Sequence, residues 1–372
     1  MTLSVVAEPE CQSSAPFSGS YDPSDVLFLL TPTAATLTSV EDKERLIQSG
    51  TRHYSEMLSP ERPPGPAYMA LYRAALARNG ARLALDIERL ASALAQRAQG
   101  RPEVVVLSLA RAGTPIGVLL GRALKRRGLH APHYSISIIR DRGVDTAALA
   151  FIAERHDPRD VVFLDGWTGK GVIARELRRS QAEAMLGRPP FLAVVADPAG
   201  AADLAATGED YVIPSGLLNG VASGLVSRSL YDPELVAAGR FHGCVRLDAQ
   251  AGEDVSRSFV AAVEEFRPRG TPEPAVWTDA DRSAAAVASR AAITAVAEQC
   301  GVRDPNRIKP GVAEATRAVL RRLPERLFLA KPDDPDVAHL AQLAGERGLA
   351  IEQLQPPGPY RAVAVIRSLG LG

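Results

Sequence analysis

The chain is poor in cysteine and carries no net charge, and each of these features argues against a class of protein. Its three cysteines, Cys11, Cys244 and Cys300, are far apart in the 372 residues. An odd number without framework spacing argues against a disulfide scaffold and favours a reducing compartment. Lys plus Arg and Asp plus Glu each number 43, so nucleic acid could be bound only through a local basic surface.

Long apolar runs are also missing. No segment approaches the ~18 consecutive apolar residues of a membrane helix, and Met1–Gly19 lacks the basic and apolar regions of a signal peptide. We therefore expect a cytoplasmic protein with no membrane partner. The sequence leaves the oligomeric state open, including a homo-oligomer.

Apolar strand patterns alternate with helical patterns, which predicts an α/β protein with a doubly wound, mostly parallel sheet. A Pro- and Gly-containing stretch near residue 270 separates this part from a second, smaller α/β unit. The predicted organisation is a loosely ordered N-terminus over 1–20, a first domain over 21–266, a linker with a bridging helix over 267–302 and a final domain over 303–372.

One short segment has the pattern of a phosphate-binding loop. The apolar run Val161–Leu164 ends in Asp165, a Gly-rich turn follows, and Ile173–Arg179 has helical spacing. Backbone amides at such a helix start bind anions, and open α/β sheets bind ligands beyond the carboxyl ends of their strands. An ordinary strand–turn–helix connection capped by its threonine is the structural alternative. The predicted ligand-binding residues of this turn are Trp167, Thr168, Gly169, Lys170 and Gly171.

A second apolar run, Val104–Leu109, is also followed by a Gly-containing turn, Ala110–Gly117, and then by a helical pattern over Val118–Arg127. Two such turns are hard to obtain from packing alone. Between them, His133–Ile139 alternates like a half-buried strand. It leads into a charged turn at Arg140, which we predict to form a mobile loop over an anionic substrate.

Several sequence blocks recur in order along the first domain: Phe17–Tyr21, Ile47–Gly50, His53–Glu56, Ser108–Gly117, Asp165–Gly171 and Phe241–Cys244. With these blocks the chain resembles the phosphoribosyltransferase-like proteins that accompany tellurite-resistance and stress-response gene clusters. Those proteins often carry the name StiP-type cysteine protease. The resemblance extends from about Phe17 to Phe266.

The resemblance implies a phosphoribosyltransferase-like fold and an enzyme that transfers a phosphoribosyl group from phosphoribosyl diphosphate, bound with Mg²⁺, to a base-like acceptor. It implies that Asp165 contacts the ribose hydroxyls and that the turn with Lys170 holds the 5′-phosphate. Arg111, with the turn at Gly113 and Thr114, is expected to stabilise the departing pyrophosphate. By position alone, we expect the acceptor under a lid of residues 211–244, near Ser215 and Asn219.

The loop departs from the wider phosphoribosyltransferase pattern at two positions. Gly166 stands where most members have a second acid, and Gly171 stands where the turn usually ends in Thr or Ser. The loop therefore has one carboxylate fewer to bind the ribose hydroxyls.

The final domain contains a second recognisable motif. The segment Lys309–Arg317 resembles the helix start by which Pelota- and L7Ae-type modules bind folded RNA, although Ala313 replaces the usual Asn. Basic residues on one helix face suit phosphate contacts, and a solvated basic face is the alternative. The predicted RNA-binding residues are Lys309, Gly311, Glu314, Arg317 and Arg321.

Two further functions remain open from the sequence. Cys244, two residues after His242, could serve a cysteine hydrolase, but a nucleophile needs a base and an orienting group, and a buried structural cysteine is the favoured interpretation. A non-catalytic nucleotide or RNA sensor, in which Gly166 marks a lost acid, is the third function class.

Overall fold

The computed structural model describes residues 15–355 and 358–370. Its strands are β1 (Leu27–Leu29), β2 (Thr31–Pro32), β3 (Val105–Leu109), β4 (His133–Ile136), β5 (Ile138–Ile139), β6 (Gly143–Val144), β7 (Val161–Trp167), β8 (Leu192–Ala196), β9 (Leu204–Thr207), β10 (Gly243–Cys244), β11 (Ile308–Pro310), β12 (Pro324–Leu329), β13 (Ile351–Gln353) and β14 (Ala362–Ile366). Its α-helices are α1 (Val40–Gln48), α2 (Pro66–Ala98), α3 (Gly113–Arg126), α4 (Thr146–Ala153), α5 (Val172–Arg179), α6 (Ala182–Leu186), α7 (Pro233–Ala237), α8 (Ser256–Glu265), α9 (Asp279–Cys300), α10 (Val312–Arg321) and α11 (Ala338–Glu346). Within the described ranges, none of these helices is long and apolar enough to cross a membrane.

The central sheet of the first unit has six strands in the order β1-β4-β3-β7-β8-β9. Every neighbouring pair in it is parallel. After β1 at one edge, the chain enters the middle of the sheet at β3, adds β4 on one side and then crosses to add β7, β8 and β9 on the other, so the direction of winding reverses between β3 and β7. The predicted doubly wound parallel sheet is confirmed, and its switch point lies at the strand that carries Asp165.

The two faces of this sheet explain why its strands read as continuous apolar runs. Val106 and Leu164 lie in a core with α2, α3 and α8, whereas Val105, Leu107 and Phe163 lie in a core with α4, α5 and α6. A parallel sheet covered by helices on both faces requires apolar residues at successive positions. The continuous apolar runs of these strands therefore result from burial of both faces of the sheet.

The helix after β3 begins earlier than the sequence predicts. We expected a turn as far as Gly117 and a helix from Val118, but α3 starts at Gly113. The two glycines allow close packing, because a Cβ at Gly117 would lie 2.1 Å from Ser108 Oγ and one at Gly113 would lie 2.5 Å from Leu164 O. These glycines bring α3 against the sheet.

The segment predicted as a lid is part of the interior. Tyr211, Ile213 and Leu217 are buried in the same core as α2, so the Gly- and Ser-rich composition of residues 211–227 indicates tight packing and the lid prediction is wrong there. The predicted strand from His133 is also interrupted at Ser137, which is buried with its Oγ 2.8 Å from the Nδ1 of His242.

The C-terminal unit is a smaller α/β module, as predicted. Its sheet has the order β11-β14-β12-β13, with β14 antiparallel to both neighbours and β12 parallel to β13. Helix α9 covers one face through Ala292 and Val296. Helices α10 and α11 cover the other face, and their buried residues Val319 and Leu340 continue the core of the first unit. The two units therefore share one apolar core.

Candidate anion-binding cleft between the two units

A cavity of about 650 Å³ lies at the carboxyl end of β7, between the first unit and the C-terminal unit. The first unit contributes Asp165, Arg140 and the turn from Trp167 to Val172. The C-terminal unit contributes the segment 306–310 and the first turns of α10. Two sites that the sequence presents as separate, a phosphate loop and an RNA-binding helix start, thus face each other across one cavity.

The turn after β7 presents unpaired backbone amides. Within the described part of the chain, the amides of Gly169, Lys170, Gly171 and Val172 have no hydrogen-bond acceptor. Gly171 has φ = +70°, a left-handed conformation that glycine adopts without strain. Free amides at a helix start attract an anion through their N–H groups and the helix dipole. This backbone geometry fits the predicted phosphate loop.

Thr168 lies in this turn but is turned towards the sheet. Its amide donates to the carbonyl of Ala196 at 3.0 Å, and its Oγ1 donates to Asp197 Oδ1 at 2.5 Å. The same carboxylate accepts from Trp277 Nε1 at 3.2 Å. Thr168 lines the cavity, but both of its donors are engaged within the first unit, so it fixes the start of the turn, and its contact with substrate stays a prediction.

Lys170 reaches across the cavity to the C-terminal unit. Its Nζ donates to the backbone carbonyls of Pro305 and of Ile308, the latter at 3.1 Å. Burial, together with the charges of Lys309 and Arg140, lowers the pKa of Lys170 to about 7. Carbonyl groups satisfy its hydrogen bonds but carry no counter-charge, so an anion in the cavity would stabilise the ammonium form.

Asp165 lies at the base of the cavity. Burial raises the pKa of Asp165 to about 7, opposed by the Arg317 guanidinium and by the Gly166 amide, which donates to Oδ1 at 2.7 Å. A carboxyl group with this pKa exists in both protonation states near neutral pH. It can therefore accept a hydrogen bond from a ligand hydroxyl or donate one to a ligand oxygen.

Trp167 joins the two units. Arg317 of α10 lies over its ring, with the guanidinium carbon 4.7 Å from the ring centroid, and also pairs with Glu314 at 3.3 Å. On another side, a Cβ at Gly216 would lie 3.2 Å from the ring. These contacts brace the turn, and they extend this support to the C-terminal unit.

Three residues predicted to meet pyrophosphate lie away from the cavity. Arg111 is buried and pairs with both carboxylate oxygens of Glu61, at 2.5 and 2.7 Å. Although burial opposes the effect, the Arg111 guanidinium lowers the pKa of Glu61 to about 2. Thr114 Oγ1 lies 2.8 Å from Ser135 Oγ inside the sheet, and Gly113 packs against β7. The structure therefore corrects the pyrophosphate assignment of Arg111, Gly113 and Thr114 to structural roles.

The predicted acceptor residues are also outside the cavity lining. Ser215 is buried in a single 3₁₀ turn, Pro214–Leu217. The carbonyl of Asn219 accepts from Ser223 Oγ at 3.2 Å. Ser215 and Asn219 lie outside the cavity because their segment is buried in the core. Arg140, by contrast, lines the cavity as expected, with its amide donating to Tyr54 Oη at 2.8 Å.

The basic face of α10 is turned inward. We predicted it as an RNA-binding surface, but Lys309 and Arg317 line the cavity, and Arg322 pairs with Glu44 of α1 at 2.5 and 2.8 Å. Burial, opposed by the Glu61 carboxylate, lowers the pKa of Arg321 to about 9. This basic face is therefore accessible through the cleft, and the docked arrangement corrects the expectation of an open surface.

The start of α10 is capped by the first unit. Gly311 has φ = +91°, and the amide of the next residue, Val312, donates to both oxygens of Asp210 at 3.0 and 3.1 Å. A carboxylate from the first unit thus occupies the helix start within the motif that was predicted to bind RNA. Burial raises the pKa of Asp210 to about 7, although the backbone hydrogen bonds that its carboxylate accepts act to lower this pKa.

Comparison with known proteins places the chain in a family. The model described as "Tellurite-like stress resistance cysteine protease StiP" matches residues 19–264. The relative named "Cysteine protease StiP" from Acinetobacter baylyi is 40% identical over 371 residues, covering 96% of each chain. The chain belongs to the StiP family. A second model, the PELOTA RNA binding domain, matches residues 287–368 and begins within α9. Both resemblances predicted from the sequence are confirmed.

Solved structures similar to part of this StiP-family chain are phosphoribosyltransferases. The hypoxanthine phosphoribosyltransferase of Trypanosoma cruzi is 15% identical, with a TM-score of 0.28 over 35% of this chain and 80% of the other. The same enzyme in complex with the product IMP is 17% identical, with a TM-score of 0.27 over 34% and 70%. At these sequence identities and TM-scores, the likeness supports no inference about function.

Cys244 of this StiP-family chain is fully buried, as the favoured interpretation of the sequence expects. Burial raises the pKa of the Cys244 thiol to about 12, whereas a cysteine nucleophile requires a thiolate near neutral pH. The nearby His242 directs its Nδ1 to Ser137. Among the other cysteines, Cys300 also has a raised pKa because of burial, and Cys11 lies outside the described residues.

Sequence reasoning missed several residues of the cleft. Tyr54 and Glu44 line the cavity, yet neither was predicted as a site residue. The block His53–Glu56, which contains Tyr54, was the one available signal. Glu44 has no such signal, because its position follows from its ion pair with a residue 278 positions away.

Proposed function

We propose that the chain is a phosphoribosyltransferase-like enzyme that acts on phosphoribosyl diphosphate in the interdomain cleft. The observation that carries this proposal is the free-amide turn Gly169–Val172, placed next to Asp165 at the switch point of a doubly wound sheet. A phosphate monoester fits the amides and Lys170, and a vicinal diol fits a carboxyl group at the strand end. One sugar phosphate satisfies both groups.

The reaction is a displacement at the anomeric carbon of the ribose. The bond from this carbon to the diphosphate oxygen breaks, a bond to an acceptor nitrogen forms, and the acceptor loses a proton. Asp165 binds the ribose hydroxyls more strongly as positive charge develops on the ring. The departing diphosphate requires cations, and Arg140, Lys309 and Arg317 line the same cavity. They replace Arg111 in this role.

A divalent cation is compatible with this cavity. Within the described residues, no group of three His, Cys, Asp or Glu side chains is arranged to hold a metal ion. Mg²⁺ is commonly held by one or two carboxylates and by the phosphates of its substrate, and Asp165 and Glu314 supply two carboxylates here. They would hold a Mg²⁺ that arrives with the diphosphate and neutralises its charge.

The protease named in the family is less well supported by this site. A hydrolase would use Cys244, but its thiol is buried, its pKa is raised and no histidine of the described residues is bonded to it, which does not suit a nucleophile. The non-catalytic sensor shares the binding step with the transferase and differs from it only in turnover. Binding and turnover are therefore measured separately.

The test uses tryptophan fluorescence, because the chain has two tryptophans and Trp167 lines the cavity. In a Trp277→Phe background, phosphoribosyl diphosphate with Mg²⁺ should change the Trp167 emission in a saturable way. Lys170→Met should weaken binding roughly tenfold or more, since a hydrogen bond to a charged group contributes about 1.5–3 kcal/mol. The matched control Lys331→Met alters an exposed lysine and should bind normally.

Turnover is then followed by pyrophosphate release with a panel of purine and pyrimidine bases, their nucleosides and their nucleotides. Release that depends on Asp165 supports the transferase. Binding without release for any acceptor supports the sensor, and absence of binding at millimolar ligand overturns the proposal.

A further inference from the structure

A second cavity of about 270 Å³ opens beside the first, between α1 and α10. The two cavities share lining residues from both units, among them Tyr54, Lys309 and Arg317. A ligand in the first cavity can therefore extend into the second. Nothing in the function proposed above uses this space.

The lining of the second cavity is strongly cationic. Among the residues that the structure describes, two acidic side chains face it, Glu61 and Glu314. Glu61 is already held by Arg111 behind it, and Glu314 by Arg317. Six basic side chains line this cavity: Lys43, Arg228, Lys309, Arg317, Arg321 and Arg322. Arg322 is balanced by Glu44 of α1. The remaining excess of positive charge is unfavourable unless an anion balances it, and it is carried by Lys43, Arg228, Lys309 and Arg321.

Several polar groups at this cavity lack partners. Among the described residues, no hydrogen bond or ion pair engages the ammonium of Lys43, which is 8% exposed. Arg228 Nη1, Arg321 Nε and Ser59 Oγ are buried without a hydrogen-bond partner. Burial and the charges of Arg228 and Arg322 lower the pKa of Lys43 to about 7. The ammonium of Lys43, unpaired beside a lining of further cations, therefore makes this cavity suited to an anionic ligand.

The donor groups at this cavity are also of the types that bind phosphate. A hydroxyl, ammonium and guanidinium groups are the donors that bind phosphate, and guanidinium groups are especially suited to its oxygens. A carboxylate ligand has fewer acceptor oxygens and less charge. The contribution of α10, which belongs to the region that matches the PELOTA RNA binding domain, points to a nucleotide as the source of this phosphate.

We propose that the second cavity binds a phosphate group of the acceptor, so that the acceptor is a nucleotide or an RNA end and not a free base. The role of this ligand as an acceptor rests on the function proposed above, whereas the phosphate site does not depend on that function. A base carried on this phosphate would enter the first cavity past Tyr54, where Asp165 and the sugar phosphate lie. The C-terminal unit then contributes directly to substrate recognition.

The experiment titrates the full chain by calorimetry with each common nucleoside 5′-monophosphate and with the matching nucleosides. We expect at least one monophosphate to bind ten times or more tightly than its nucleoside. Lys43→Met should lower the monophosphate affinity tenfold or more and leave nucleoside binding unchanged. Lys43→Arg should restore the affinity, and the exposed control Lys331→Met should match wild type. Thermal unfolding of each variant verifies that it is folded.

A 12-nucleotide RNA with and without a 5′-phosphate distinguishes the two sources of phosphate. Competition by the RNA assigns the site to RNA, and competition by monophosphates alone assigns it to free nucleotides. If monophosphates bind no more tightly than nucleosides, or if Lys43→Met binds them like wild type, the second site is wrong. Failure of phosphoribosyl diphosphate to bind, with Lys43-dependent monophosphate binding intact, overturns the proposed function alone.

Discussion

The guanidinium of Arg317 lies 4.7 Å from the ring centroid of Trp167 and joins the C-terminal unit to the phosphate loop. Trp167 follows Asp165 of β7 by two positions, and Arg317 lies on α10, the helix predicted to bind RNA. The contact therefore connects these two elements. Tyr360 adds a second link, because its Oη donates to the carbonyl of Gly169 at 2.7 Å. The turn after β7 and the C-terminal unit are therefore in direct contact.

Replacement of Arg317 should loosen this link. Arg317→Met removes the cation above the ring, and a cation–π contact of this kind contributes about 0.5–1 kcal/mol where it is exposed. We expect a small fall in the melting temperature and a shift in Trp167 emission in the Trp277→Phe background. The control Arg290→Met changes an exposed arginine on α9. An unchanged emission spectrum in Arg317→Met would show that the contact is not formed in solution.

The pKa of Asp165 predicts a distinct pH dependence of stability. Burial raises this pKa from 3.8 to about 7, so between about pH 4 and 7 the folded chain retains a proton that the unfolded chain has released. The free energy of unfolding therefore falls as pH rises through this window. Asp165→Asn removes that fall and should be more stable than wild type at pH 7.5, with little difference at pH 4.

The measurement is urea unfolding of both proteins at several pH values. Asp210 also has a raised pKa and contributes equally to both curves, so the difference between the curves isolates Asp165. A difference that is constant from pH 4 to 7.5 would contradict the prediction.

The close approach of the two units predicts that Gly169 tolerates no side chain. A Cβ there would lie 2.7 Å from Glu314 Cγ and 3.3 Å from the carbonyl of Pro310. Gly169→Ala should therefore displace α10, lower the melting temperature and weaken binding of phosphoribosyl diphosphate. Gly345→Ala is the matched control, since this glycine lies in α11 with no atom within 4 Å of the added Cβ. A helical Gly→Ala change is expected to be neutral or stabilising.

The burial of Cys244 predicts low reactivity. At pH 7.5, iodoacetamide should label Cys300, which is half-buried, in preference to Cys244, as quantified by mass spectrometry of tryptic peptides. Cys244→Ala should retain binding of phosphoribosyl diphosphate. Rapid stoichiometric labelling of Cys244 together with loss of a peptidase activity would instead favour the hydrolase.

The sequence predicted the parts of this site that are local in the chain. A strand that ends in Asp165, followed by Gly169 and Gly171, is visible within ten residues, and the structure places these residues at one cavity. Arg111 was assigned differently because its partner, Glu61, is 50 residues away. A periodic pattern identifies a basic helix face but does not show which surface covers it.

Asp210 offers a test of whether the basic face of α10 is restricted by docking. Its carboxylate accepts from Val312 and from the amide of Arg361 at 2.8 Å, and both donors belong to the C-terminal unit. Asp210→Ala leaves these buried amides unpaired, at a cost of about 1–3 kcal/mol each. We expect the C-terminal unit to undock more often and the linker around residue 270 to be cleaved faster by trypsin.

Undocking should also change RNA binding, because Lys309 and Arg321 face the cleft. We expect Asp210→Ala to retard a kinked RNA at lower protein concentration than wild type, with an affinity that falls with salt as phosphate contacts require. Asp333→Ala, at an exposed position of the same unit, serves as the control. Equal retardation by wild type and Asp210→Ala, despite faster cleavage of the variant, would mean that RNA reaches the basic face through the closed cleft. That outcome would favour an RNA end as the acceptor, since such a ligand must enter the cavity while the two units remain docked.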